Sequence, residues 1–225
     1  MDKSYEITEL TGDKMADYNI KAVFLGNSGV GKTSIIKYEL ENKFLPGIIT
    51  NVFDYSSKKC KINDKIIHLQ IWDLCGDETY DKITTNFYRA ALCFFVVFSL
   101  TDKNSFFNLD KWINRIKNEP QSLSPIIILI GNKNDIIDER KITKEEIEDF
   151  KIRNNIDCYF ETSAKSGEAI HELFKEVIKK LYIKFIEPTL SEVYSITSSQ
   201  STSQSILTPC ADDSEKCKVC DCIVF

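Results

Sequence analysis

Eight residues near the start of the chain have the types and spacing of a phosphate cradle. Gly26-Asn27-Ser28-Gly29-Val30-Gly31-Lys32-Thr33 fits G-x-x-x-x-G-K-[ST]. The glycines let the backbone turn tightly, so that successive N–H groups from Ser28 to Gly31 can point at phosphate oxygens. A helix predicted to open at Lys32 adds the favourable end of its dipole. Lys32 can neutralise the β- and γ-phosphates, and the Thr33 hydroxyl can ligate Mg²⁺. The pattern predicts nucleotide binding and leaves both the base and the reaction open.

A second group addresses the base. The apolar run Ile126–Ile130 is followed at once by Gly131-Asn132-Lys133-Asn134-Asp135. A carboxylate there can accept two hydrogen bonds from guanine, from N1–H and the 2-amino group. Adenine offers neither donor in that arrangement and would leave a charge unpaired.

The elements that must position these groups are legible as runs and breaks. Ala22–Leu25 is a short apolar run before the Gly-rich turn, and Lys32–Asn42 is helix-like. Phe53–Ile62 and Ile66–Trp72 read as strands joined by a hairpin turn at Asn63-Asp64. Leu92–Phe98 and Ile126–Ile130 are unbroken apolar runs, as expected of strands buried on both faces of a mostly parallel sheet. Helix-like segments lie between and after them at Lys103–Lys117, Lys144–Arg153 and Glu168–Phe185. Thr143 followed by Glu146 is a capping-box pattern. Alternating strands and helices over one domain length predict an α/β doubly wound fold.

The chain has 225 residues, enough for one domain with tails. Its net charge of -5 argues against a broadly basic nucleic-acid binder, so no nucleic acid is expected as partner. That charge sits at the ends. Residues 1–19 and 188–225 each carry five acids and two lysines, which leaves residues 20–187 at +1. Residues 1–19 read as a flexible N-terminal tail without an apolar leader. Residues 188–225 read as a disordered tail, with seven serines between Ser191 and Ser205. Cys60, Cys75, Cys93 and Cys158 are scattered through the body and read as reduced, buried thiols. The other four cysteines fall within the last sixteen residues.

Over roughly Ile20–Ile183 the sequence resembles the Ras superfamily and, within it, the Rab family. The resemblance rests on Gly26–Thr33, Trp72-Asp73-Leu74-Cys75-Gly76, Asn132–Asp135 and Glu161-Thr162-Ser163-Ala164-Lys165. Leu69–Asp73 and Phe87-Tyr88-Arg89-Ala90-Ala91 are the Rab-like stretches. It implies a P-loop small G domain over 20–187, a mostly parallel six-stranded sheet with one antiparallel edge strand, and helices on both faces. It also implies a monomeric switch that binds and hydrolyses GTP and recruits effectors in vesicle trafficking. The implied partners are an exchange factor, a GTPase-activating protein, and a GDP dissociation inhibitor or escort protein.

Residue by residue, the resemblance implies that Ser34 follows Thr33 at the phosphates and that Asp73 holds Mg²⁺ through water. Thr50 would join Mg²⁺ and the catalytic site when the γ-phosphate is present, with Lys32, and the Gly76 amide would sense that phosphate. Asn132, Lys133 and Asp135 would frame guanine, with Ser163, Ala164 and Lys165 completing its pocket. Phe44 would lie on the guanine ring; on residue type alone it reads equally as a core or surface aromatic. Tyr55, Trp72 and Phe87 match the triad presented to effectors; sheet packing is an equal reading for each.

Two departures stand out. The loop before Phe53-Asp54-Tyr55 lacks the family's glycine and is one residue short between Phe44 and Thr50. Asp77 stands where most members have Gln, so a group with acceptors only replaces an amide at the catalytic position. Slow GTP hydrolysis is expected. The alternatives are a GTP-bound module that scarcely hydrolyses, or a Ras- or Rho-like signalling protein.

The sequence ends Cys222-Ile223-Val224-Phe225, a C-a-a-X pattern that favours geranylgeranylation. One lipid binds membranes only marginally. With Lys216 and Lys218 set among acids, no polybasic patch supplies a second signal, so a second lipid is expected on Cys220 or Cys217. A zinc site from Cys217, Cys220 and Cys222 is a competing reading that lacks a close fourth ligand. The expected location is the cytoplasmic face of intracellular membranes, with a cytosolic pool.

Overall fold

The computed structural model describes residues 4–190 apart from 11, 13, 48–49, 51, 78–84 and 121–122. Cys220 and Cys222 therefore lie outside the described residues, as does most of 188–225.

Seven strands form one sheet. They are β1 (Ile7–Leu10), β2 (Tyr18–Leu25), β3 (Phe53–Ile62), β4 (Lys65–Leu74), β5 (Cys93–Ser99), β6 (Ile126–Asn132) and β7 (Cys158–Thr162). Their order is β1-β3-β4-β2-β5-β6-β7. The pairs β4–β2, β2–β5, β5–β6 and β6–β7 are parallel. Strand β3 is antiparallel to both β4 and β1.

Among the described residues the helices are α1 (Lys32–Glu41), α2 (Lys103–Phe107), α3 (Leu109–Asn118), α4 (Lys144–Asn154) and α5 (Ile170–Leu181), which runs into a π-turn at Tyr182–Ile186. Alternation along the buried strands divides the core in two. Ala22, Phe24, Phe95, Val97, Ile128 and Ile130 face one cluster, shared with Ile35 of α1 and Phe174 of α5. Val23, Leu25, Phe94, Val96, Ile127 and Leu129 face the other, shared with Trp112 of α3 and Phe150 of α4. A strand covered on both faces needs no polar positions, which is why these runs are unbroken. Thr143 and Glu146 close the reciprocal capping box that opens α4.

Three expectations are corrected. The sheet has seven strands rather than six, so β3 is not the edge. Residues 1–19 are not simply a tail, because Ile7–Leu10 pair with Lys59–Ile62. The alternation Tyr5-Glu6-Ile7 was the available signal. Ile7 and Tyr5 pack against the core, and the Tyr5 ring meets Tyr182 with centroids 5.8 Å apart. Residues 103–117 also form two helices, broken at Asn108, rather than one.

Candidate nucleotide site

The strands β2, β4, β6 and β7 end at Leu25, Leu74, Asn132 and Thr162, and a cavity of about 870 Å³ opens beyond these ends. Clefts outside the carboxyl ends of parallel strands are the usual binding place in such sheets. The volume falls within the range of small-molecule sites.

The phosphate loop forms one end of the cavity. Helix α1 opens at Gly31 with no side-chain cap and no acid in its first turn, which leaves its positive end for an anion. Gly31 has φ +100°, and a Cβ there would lie 2.2 Å from Asn132 Nδ2. The Lys32 ammonium is buried and donates to the carbonyls of Gly26 at 2.9 Å and Asn27 at 3.1 Å. Burial pulls its pKa down to about 8, opposed by Asp73 and Cys75. From outside the motif, Trp112 Nε1 donates to Asn27 Oδ1 at 3.0 Å and braces the loop.

Three oxygens converge beside Lys32. Thr33 Oγ1 donates to Asp73 Oδ2 at 2.5 Å and lies 2.5 Å from Thr50 Oγ1, which donates to the same Asp73 oxygen at 3.0 Å. Asp73 is buried, and its Oδ1 has no partner among the described residues. Burial pushes its carboxyl up, opposed first by the Thr33 hydroxyl and then by Lys32. Thr50 reaches this point because its loop is tied down two residues later, where Cys75 N donates to Val52 O at 3.0 Å. Gly76 presses on the phosphate loop so closely that a Cβ would stand 2.2 Å from Ser28 N.

The other end is built on β6 and β7. Asn132 Nδ2 donates to the Val30 carbonyl at 2.8 Å, and its Oδ1 accepts from Ala164 N at 3.1 Å. Lys133 takes a left-handed backbone at φ 68°, turning the chain so that Asp135 also reaches the cavity. Ser163 Oγ donates to Asp135 Oδ1 at 2.6 Å, and Lys165 Nζ stands 4.0 Å from Asp135 Oδ2.

Of the residues singled out in the sequence, Ser28, Gly29, Gly31–Ser34, Phe44, Thr50, Gly76, Asp77, Asn132, Lys133, Asp135, Ala164 and Lys165 line this one cavity. Val30, Asp73 and Ser163 do not; Asp73 is buried behind the Thr33 and Thr50 hydroxyls that bond it. Val30 is buried and contributes its carbonyl to Asn132, while Ser163 is buried and acts on Asp135. Tyr55, Trp72 and Phe87 gather elsewhere, on the sheet face near β3. Sequence reasoning missed Pro46, Gly47, Cys75 and Ile136 as lining residues; each adjoins or lies close to a residue it did single out.

The Ras family model matches residues 21–183. Ras-related protein Rab-27B of Bos taurus is 34% identical over 189 residues, covering 79% of this chain and 86% of the relative. Ras-related protein Rab-27A of Rattus norvegicus is 36% identical over 180 residues, covering 73% and 81%. Ras-related protein Rab-11B of Dictyostelium discoideum is 33% identical over 168 residues, covering 74% and 75%. The chain belongs to the Ras family, in its Rab branch. As a Ras-family GTPase it binds guanine nucleotides, and the cavity is the one place among the described residues where phosphate-loop and N-K-x-D residues meet. The family match begins at Lys21, within β2, so β1 lies outside it.

Proposed function

We propose that this chain is a lipid-anchored GTPase switch of vesicle traffic, which recruits effectors with GTP bound and hydrolyses GTP slowly. The observation that carries the reading is the meeting of the Thr33, Thr50 and Asp73 oxygens beside the buried Lys32 ammonium. A hydroxyl pair and a carboxylate with an orphaned buried oxygen form a hard-oxygen donor set, which suits Mg²⁺. Thr33 and Thr50 would hold that ion, with Asp73 acting through water. When bound, it supplies charge neutralisation at the β- and γ-phosphates.

The chain's own groups divide the remaining work. Lys32 and the first amides of α1 hold the phosphates, and a triphosphate beside Lys32 stabilises its charged form against burial. Asp135, steadied by Ser163, accepts from guanine. Thr50 links the terminal phosphate to the segment that leads into β3, where Phe53 and Tyr55 sit, so that the order of this segment reports the nucleotide. Tyr55, Trp72 and Phe87 face effectors. Asp77 adds a negative charge to the cavity wall, which supports slow intrinsic hydrolysis and a need for an activating protein. No helix among the described residues is long and apolar enough to cross a membrane. Membrane attachment is assigned to lipid on Cys222 and Cys220, and regulation to an exchange factor and a GDP dissociation inhibitor or escort protein.

The test is nucleotide binding by the full chain. A fluorescent GTP analogue should bind, compete with GDP and not with ATP, and leave faster when Mg²⁺ is chelated. Equal competition by ATP would overturn the base assignment. Cys222→Ser should move the protein from the membrane pellet to the soluble fraction, and persistence in the pellet would count against the lipid anchor.

A further inference from the structure

Phe53 belongs to an aromatic surface that no motif assigned to it. It sits two residues before Tyr55 on β3, so both side chains take the same face. The register sets Tyr55 opposite Trp72. Ring centroids are 4.6 Å apart for Phe53–Phe87, 4.8 Å for Trp72–Phe87, 5.1 Å for Tyr55–Trp72 and 5.8 Å for Phe53–Trp72. The group therefore has four members, and Phe53 touches two of the three others. Phe53 keeps 47% of its exposure and Tyr55 44%. Trp72 and Phe87 pack partly on the core, and the two exposed rings set against them, Phe53 and Tyr55, leave an apolar face open to a partner.

One cation is set into the surface. Lys21 Nζ stands 5.5 Å from the Trp72 ring centre and 5.9 Å from that of Phe87, and donates to the Arg89 carbonyl at 3.1 Å. Among the described residues no carboxylate pairs with Lys21. The face is thus apolar with a positive point at one side.

Resting on the partner-facing reading of Tyr55, Trp72 and Phe87, we propose that Phe53 is a specificity-determining residue of this surface. With Lys21 it selects an amphipathic helix that lays a large apolar side chain on Phe53 and Tyr55 and a carboxylate over Lys21. A helix suits the site because side-chain faces, not backbone edges, supply the exposed area. The surface is also tied to the nucleotide site. Phe53 follows Val52, whose carbonyl holds Cys75, and lies three residues from Thr50 at the oxygen cluster. A shorter aliphatic side chain at this position would leave Trp72 and Phe87 open and favour a different partner shape.

The experiment selects displayed helical peptides on the full chain loaded with a non-hydrolysable GTP analogue. Enriched peptides should carry apolar residues at helical spacing and an acid, bind more weakly as salt rises, and lose affinity when GDP replaces the analogue. Phe53→Ile should weaken a selected peptide about tenfold, the equivalent of one good aromatic contact. Lys21→Gln should weaken it by a smaller factor and remove much of the salt dependence. Melting temperature and affinity for the fluorescent GTP analogue, both unchanged in Phe53→Ile, show that the variant is folded. Binding within twofold in Phe53→Ile, enriched peptides without acids, or no helical enrichment would each overturn the proposal. Failure of the native chain to bind the GTP analogue would instead overturn the GTPase reading.

Discussion

Asn132 Nδ2 donates to the Val30 carbonyl at 2.8 Å, joining the end of β6 to the phosphate loop across 102 residues of chain. The same amide oxygen accepts from Ala164 N and from Thr162 Oγ1 at 3.3 Å. One buried side chain thereby fixes the distance between the phosphate end and the base end of the cavity. Asn132→Ala should leave the Val30 carbonyl and the Ala164 amide buried without partners, at about 1–3 kcal/mol each. Urea unfolding should show a loss of that order, and GTP affinity should fall with it. Unchanged GTP affinity would show that the two ends are held by other contacts.

Asp135 sets the base. Its carboxylate offers acceptors only, and guanine presents donors at N1 and at the 2-amino group. Xanthine carries an oxygen where guanine has that amino group. Asp135→Asn supplies an N–H toward position 2, so it should weaken GTP and strengthen xanthosine triphosphate. Competition against the fluorescent GTP analogue measures both. A loss of GTP without a gain in xanthosine triphosphate would mean that Asp135 acts on the fold rather than the base.

Lys58, Glu39, Glu9 and His171 form an ion-pair network that the sequence did not reveal. Lys58 bonds both Glu9 of β1 and Glu39 of α1, and His171 Nδ1 lies 2.6 Å from Glu39 Oε2. The Glu39 side chain is only 1% exposed. Lys58→Met would leave that buried carboxylate with His171 as its remaining side-chain partner among the described residues, so the loss should fall below the roughly 3–5 kcal/mol of a fully broken buried pair. Thermal unfolding of the single variant should show it, and adding Glu39→Gln should recover part of the loss.

Arg140 makes a bidentate pair with Glu161, at 2.8 and 2.7 Å, and the Tyr159 hydroxyl adds a third bond at 2.9 Å. The Arg140 hydrogen bonds hold the Glu161 carboxyl below its ordinary value. A depressed carboxyl gives stability that is present above the unfolded value of about 4.3 and is lost as pH falls through the folded one. The pair is partly solvated, so about 1 kcal/mol is expected near pH 7. Arg140→Gln should unfold at lower urea than the native chain at pH 7, and the gap should narrow below about pH 4. A gap independent of pH would assign the effect to the Arg140 bond with Ile142 O instead.

The legible and illegible parts of the molecule differ by range. Local patterns carried the phosphate loop, the Asn63-Asp64 turn and the Thr143–Glu146 cap, because each is a short-range arrangement with its own residue types. Strand β1 was hidden because Thr8 and Glu9, with Glu6 just before them, give this edge strand the composition of a tail, and the Lys58 partner of Glu9 lies far off in sequence. Trp112 and Lys58 were hidden for another reason: their partners, Asn27 and Glu39, are distant in sequence, and only the fold brings them together. Ser163 illustrates a middle case, since the motif indicated the position while the structure shows the side chain acting on Asp135.

Asp77 brings the chemistry to its sharpest question. It lines the cavity directly after Gly76, whose backbone presses on Ser28 of the phosphate loop. A carboxylate about 4 Å from a phosphate oxygen is opposed by about 1 kcal/mol even in water, and by more where the cavity excludes water. The same residue cannot donate to the transferring group, because an ionised carboxylate has no proton to give. Two substitutions separate these effects. Asp77→Asn removes the charge at constant length, and Asp77→Gln also restores the reach of an amide. If repulsion dominates, both should raise the single-turnover rate about fivefold, the equivalent of 1 kcal/mol. If positioning dominates, only Asp77→Gln should gain. If neither variant is faster, Asp77 does not limit intrinsic hydrolysis, and the comparison with an activating protein present then shows whether the catalytic groups come from outside the chain.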